Sequence, residues 1–229
     1  MKKLILLTVF ISTSVIAFAQ VSFGIQAGAN IAFGKISYDG IGFPTVFAND
    51  PKFGFLGGFL AEIPIFSKLA FRPEINFIQK GSKTNTTLPI FEENSKITLN
   101  YIEIPLNVVY KLPAGNGNFF FGLGPTIAFG ISGTNKFTNS IDPTQNKNID
   151  IKFDGKKNTD NMVDNLEAFD FGANILAGYK LQMGVFFKLG YTYNFLNIDP
   201  DDKRGYKNRG FNICVGYMIG GSKSSKKKD

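Results

Sequence analysis

Over eight stretches of this chain, apolar side chains recur at every second position, with polar residues or glycine between them. In 69–81 Leu69, Phe71, Ile75 and Phe77 share one parity with Pro73, while Arg72, Glu74 and Asn76 take the other. Period two marks a strand with one apolar and one polar face. The same pattern runs through 21–33, 53–65, 97–112, 119–129, 169–181, 185–195 and 211–219. In 97–112, Ile102, Ile104, Leu106 and Val108 oppose Tyr101, Glu103, Asn107 and Lys111. In 185–195 the polar face carries Lys188, Thr192 and Asn194.

The connections alternate too. Those around Ser67, around Asn116 and at 182–184 are short. Those at 34–52, 82–96, 130–168 and 196–210 read as long polar loops. An even number of antiparallel strands, with short turns at one end and long loops at the other, is the plan of an outer-membrane barrel. The pattern therefore predicts an all-β fold, an eight-stranded antiparallel up-and-down transmembrane β-barrel spanning 20–220. Phe71, Ile75 and Phe77 would face lipid, and Arg72, Glu74 and Asn76 would fill the lumen. Aromatics at the loop end (Phe33, Phe53, Phe129, Phe169, Tyr193) and the turn end (Phe23, Tyr110, Phe119, Tyr179, Tyr217) fit two interfacial girdles. A soluble lipocalin-type barrel would turn the apolar face inward. It would then have to enclose more of the 25 phenylalanines than a small lumen holds.

Residues 1–19 read as a secretory signal peptide: Lys2 and Lys3, an apolar run 4–16, then Ala17-Phe18-Ala19 before Gln20. Export to the cell outer membrane is the expected destination. One cysteine, Cys214, excludes an intramolecular disulfide framework. The formal charge of +7 includes the two signal lysines and four more in 221–229, a stretch expected to be a basic periplasmic tail. The barrel body is therefore near neutral, and nucleic acid is not an expected partner.

Several stretches carry a family likeness: LAFRPEINFIQKGSK, LNYIEIPLNVVYKL (99–112), FFFGLGPTIAFG (119–130), FDFGANILAGYKL (169–181) and LGYTYNFLNID (189–199). In this order the chain resembles the outer-membrane β-barrel family of the Bacteroidota labelled PorT-like. The likeness covers essentially the whole mature chain. It implies an eight-stranded outer-membrane barrel but no single activity, since members include a component associated with the type IX secretion system. One departure is visible. Many outer-membrane barrels finish on an aromatic residue, whereas here Tyr217-Met218-Ile219 is followed by GGSKSSKKKD.

Catalytic chemistry finds little support. Histidine is absent, which removes His-dependent outer-membrane enzymes and any Ser-His or Cys-His nucleophile. Zinc and haem lack their usual ligands, so neither metal nor cofactor is expected. GLGPTIAFG lacks the helix and basic residue of a phosphate loop. Glu62, Glu74 and Glu103 fall on the lumen face beside Arg72. Cross-strand numbering through the turn near Ser67 sets Glu62 opposite Arg72. The expectation is an ion-pair cluster centred on Arg72, bonded to Glu62 and to at least one of the other two carboxylates. In 130–168, NIDIKFDGK alternates again, with Ile149, Ile151 and Phe153 on one face. It reads as a hairpin offering a partner-binding edge.

The sequence thus predicts a non-enzymatic barrel acting as a structural or binding component, an accessory subunit of a larger outer-membrane assembly or secretion complex. The alternative function is a small passive porin-like channel. Expected partners are outer-membrane lipid and other outer-membrane or periplasmic proteins.

Overall fold

The computed structural model describes residues 21–38, 45–46, 50–88, 91–139, 142–157, 163–201 and 204–220. The expected signal peptide, 1–19, and the basic tail, 221–229, lie outside the described residues.

The alternating stretches form β1 (Ser22–Tyr38), β3 (Lys52–Pro64), β4 (Leu69–Leu88), β5 (Phe91–Ala114), β6 (Gly117–Asn139), β8 (Phe169–Leu181), β9 (Val185–Asn194) and β10 (Arg204–Gly220). Two short strands, β2 (Thr45–Val46) and β7 (Lys147–Ile151), sit outside the ring on β1 and β6. Each of the eight long strands is antiparallel to its neighbours, and β10 pairs back onto β1 from Ser22↔Gly220 to Tyr38↔Arg204. Closure leaves the ring no free edge, so backbone N–H and C=O groups are satisfied without water.

Parity decides the two faces as the pattern predicts. Phe59 is 70 % exposed and Ile75 56 %, both outward, while Arg72 and Glu74 are each 1 % exposed on the inner side. Around the β3–β4 turn the partners Phe59↔Ile75, Leu60↔Glu74 and Ile63↔Phe71 sum to 134, so Glu62 and Arg72 do share a level.

The expected long loops need correction. β4 and β5 continue as one hairpin to Leu88↔Phe91, leaving only 89–90 between them. β6 runs on to Asn139, and β10 begins at Arg204 rather than near 211. These extensions have no lipid to face, so their outer positions are Lys, Thr, Asn and Ser and look like loop. β-branched Thr84, Thr98 and Thr134 still favour strand, and one inward apolar row is enough to hold a sheet.

That row belongs to an apolar layer across the loop end. Ile97, Leu99, Tyr101, Ile151, Val163, Leu166, Ile198 and Tyr206 pack together there. Backbone bonds tie the covering segments down: Lys152 N–H to Asp164 O at 2.9 Å, Leu166 N–H to Lys152 O at 2.9 Å, and Glu167 N–H to Ile198 O at 2.7 Å. A second apolar layer, Leu60, Val109, Phe120, Leu176, Phe186 and Met218, crosses the lumen nearer the turn end. It explains part of the glycine on the inner face. A Cβ on Gly178 would fall 2.7 Å from Cε2 of Phe120, and one on Gly216 2.5 Å from Cε1 of Phe186. Two phenyl rings fit inside this barrel because those neighbours have no side chain.

Candidate functional site

Between and below the apolar layers lie the lumen charges. At the turn end, Glu62 on β3 accepts from Arg72 Nε at 3.2 Å and from Arg72 Nη2. Its other oxygen is 3.1 Å from Lys111 Nζ and 3.4 Å from Lys180 Nζ. The Arg72 guanidinium also lies over the Phe120 ring, 4.3 Å from its centroid. The apolar layer thus supplies a π face to a cation that, among the described residues, is paired with one carboxylate.

Higher in the lumen, Glu74 Oε2 accepts from Lys188 Nζ at 2.7 Å, from Gln26 Nε2 at 2.7 Å and from Asn76 Nδ2 at 3.1 Å. Glu103 is paired with Lys80, 2.5 Å away, and Lys80 Nζ also stands 5.2 Å over the Tyr101 ring. Asn174 donates to Asn107 Oδ1 at 2.9 Å, and Asn208 donates to Asp170 at 3.1 Å. An interior void of about 10 Å³ lies between Glu74, Glu103, Asn174, Lys188 and Asn212. That is room for about one water and not a path.

The structure brings Arg72 and Glu62 together but separates the other two carboxylates from Arg72. Glu74 lies two residues along the strand, about 7 Å away, and takes its cation from β9 across the lumen. Glu103 takes its cation from β4. A single cluster around Arg72 is therefore replaced by three centres. Sequence reasoning passed over Lys80, Lys111, Lys180 and Lys188 as partners, although all four sit at inward parity. Cys214 is buried on the inner face, 2 % exposed.

The loop residues are also corrected. Ile151 is buried and Phe153 is partly buried against the loop-end layer, its ring 5.5 Å from that of Tyr101. Ile149 is half-buried opposite Asn135. These side chains fill the mouth of the barrel, so they do not present an apolar docking face. Among the described residues β7 itself pairs only with β6, and the segment at Asn165 bridges Lys152 just past its end. On the exposed turn beyond it, the Lys156 N–H at 3.2 Å holds the Asp154 carboxyl below its usual range. Among the described residues, no group of three or more Cys, Asp or Glu side chains gathers in a way that could hold a metal ion.

A closed antiparallel ring, apolar outside and filled with paired charges inside, is a transmembrane β-barrel. The chain belongs to the outer membrane protein β-barrel domain family, whose family model matches residues 18–199. It is thus an outer-membrane barrel. No curated protein matches the sequence. Among solved structures it is similar to Ail, the attachment invasion locus protein of Yersinia pestis. The identity is 12 %, over 87 % of this chain and 99 % of that one, with a TM-score of 0.39. Neisserial surface protein A is 14 % identical over 85 % and 96 %, TM-score 0.42. The outer membrane protease OmpT from Escherichia coli is 11 % identical over 87 % and 96 %, TM-score 0.32.

Proposed function

We propose that this is a non-enzymatic, PorT-like barrel of the Bacteroidota, exported on a cleaved signal peptide, 1–19, with its basic tail, 221–229, in the periplasm. It acts as a structural or binding component, an accessory subunit of a larger outer-membrane assembly or secretion complex. Its working surface is the sheet of β4, β5, β6 and β7 that continues past the lipid-facing band, together with the open backbone edge of β7. The observation that carries this reading is the filled lumen. The Phe120–Phe186 layer crosses it at one end and the Tyr101–Leu166–Tyr206 layer at the other, with ion pairs between. Such an interior holds the wall rigid and leaves binding to the outside. The absence of histidine supports the non-enzymatic reading, as does the neutralisation of each of the three lumen glutamates by a cation.

The purified barrel in a planar bilayer should pass no steady current. Porin-like conductance steps would favour the passive channel instead. Cysteine labelling of intact cells should reach Lys157→Cys and spare Asn116→Cys; the opposite pattern would invert the orientation. Mild-detergent purification from the native host, with mass spectrometry of co-purifying proteins, identifies the assembly. A barrel recovered alone under cross-linking would count against the accessory-subunit reading.

A further inference from the structure

The geometry points to a binding site for a phosphorylated glycolipid of the outer leaflet on the outward face of the barrel, built by basic residues just past the lipid-facing band. Parity carries the outward face upward from the lipid wall. On β4, β5 and β6, the outward row Phe77↔Ile102↔Phe129 is apolar. The next outward row is a polar ladder: Gln79 Nε2 donates to Asn100 Oδ1 at 3.2 Å, and Asn100 Nδ2 to Ser132 Oγ at 2.9 Å. Two rows further, Lys83 stands directly opposite Lys96, and Lys96 directly opposite Lys136. Lys96 and Lys136 are exposed and Lys83 is half-buried.

An independent pair repeats the arrangement on the adjoining side of the ring. Lys35 on β1 faces Lys207 on β10, one outward row above Phe33 and Arg209, and both lysines and Arg209 are exposed. None of these six cations has an ion-pair partner among the described residues. Like charges directly opposite in an antiparallel pair cost up to about 1 kcal/mol. Ordinary surface charge mixes its signs, whereas here the register sets lysine against lysine three times. Acids lie only at the two ends of the row among the described residues: Asp50 is bridged directly opposite Lys83, and Asp150 on β7 lies opposite Thr134, while Lys96 and Lys136 have no acid opposite them. The field reaches Lys52 at the first residue of β3. Burial first, and then the Lys96 and Lys83 charges, pull its ammonium down to about 8.

The height selects the ligand. Six residues at a rise of about 3.3 Å and a tilt of about 40° put Lys83 and Lys96 roughly 15 Å above the last apolar row. Lysine stems reach back by about 6 Å, and the Lys35–Lys207 pair lies lower. Together they cover a depth greater than a phospholipid headgroup layer of about 5–8 Å, one suited to a phosphorylated sugar headgroup. The site is confined to one sector. β8 and β9 end at Phe169 and Asn194, and the outward residues there, Phe169, Tyr193 and Phe195, are aromatic and exposed.

This inference rests on the loop end facing outward, and its test in detergent does not depend on that orientation. Native mass spectrometry of the purified barrel with diphosphoryl lipid A should show retained lipid. The triple variant Lys83→Gln, Lys96→Gln, Lys136→Gln should retain it on the order of 100-fold more weakly, at about fivefold per lysine. Its fold, read by the gel shift between heated and unheated barrel, should be intact. Fully dephosphorylated lipid A should bind no better to the parent than to the triple variant. Equal retention of diphosphoryl lipid A by parent and a folded triple variant overturns the site. So does preference for a soluble sulfated polysaccharide, which would make the row a receptor for free polyanions. Should Lys157→Cys resist labelling on intact cells while lipid A retention still depends on the lysines, the orientation fails and the anion site stands.

Discussion

The inside of the barrel and its outer rim handle charge in opposite ways. In the lumen, Glu62, Glu74 and Glu103 each have a cation within 3.4 Å, and their own exposure is 1–3 %. On the rim, lysine faces lysine across three strands, and among the described residues Lys96 and Lys136 have no acid opposite them, Asp50 standing opposite Lys83 at the end of the row. The same alternation wrote both. What differs is solvation: a buried charge must be neutralised within a few ångströms, whereas an exposed one is screened and tolerates its like. The lumen charges therefore serve the fold, and the rim charges are free to serve a ligand.

Variants sharpen this contrast, and the largest effect belongs to a lumen centre with a single cation. Lys188→Met leaves Glu74 buried with amide donors alone and should cost about 3–5 kcal/mol, read by urea unfolding in detergent or lipid vesicles. A loss below 1 kcal/mol would mean that Gln26 and Asn76 suffice for Glu74. Next comes the wall. Ile75→Arg puts a charge on the lipid face and should cost about 2–4 kcal/mol in lipid vesicles, and much less in a test of soluble expression. Unchanged stability in vesicles would place Ile75 outside the bilayer.

Arg72→Met should be milder, about 2 kcal/mol, because Lys111 and Lys180 remain on Glu62. The Glu62→Gln, Arg72→Met pair should lose less than its two single losses added; strict additivity would show that the two groups do not interact. The smallest effect is on the rim. Lys96→Met removes two like-charge oppositions and should be neutral or stabilising by about 0.2–1 kcal/mol. Destabilisation by more than 1 kcal/mol would mean that Lys96 has a folded-state partner after all, and the contrast between rim and lumen would collapse.

Much of this was legible along the chain. Alternation located eight strands, their inward and outward faces, the turn-end connections and the level shared by Glu62 and Arg72. It failed where strands leave the lipid, since 82–96 lacks the outward apolar residues by which the lipid-spanning strands were recognised. It also misjudged Ile151 and Phe153, which one-dimensional reading offered to a partner and the fold uses for its own mouth.

Parity is a local property, set by the pleat of a single strand, so the sequence alone determined that Lys80, Lys111, Lys180 and Lys188 point inward with the three glutamates. Beyond Glu62 and Arg72, which cation meets which carboxylate was decided by strand pairing and by closure of the ring. Closure sets β9 across from β4 and brings Lys188 to Glu74, residues 114 apart in the chain. The pairing register of three neighbouring strands likewise lines up Lys83, Lys96 and Lys136, an opposition invisible in any one of them.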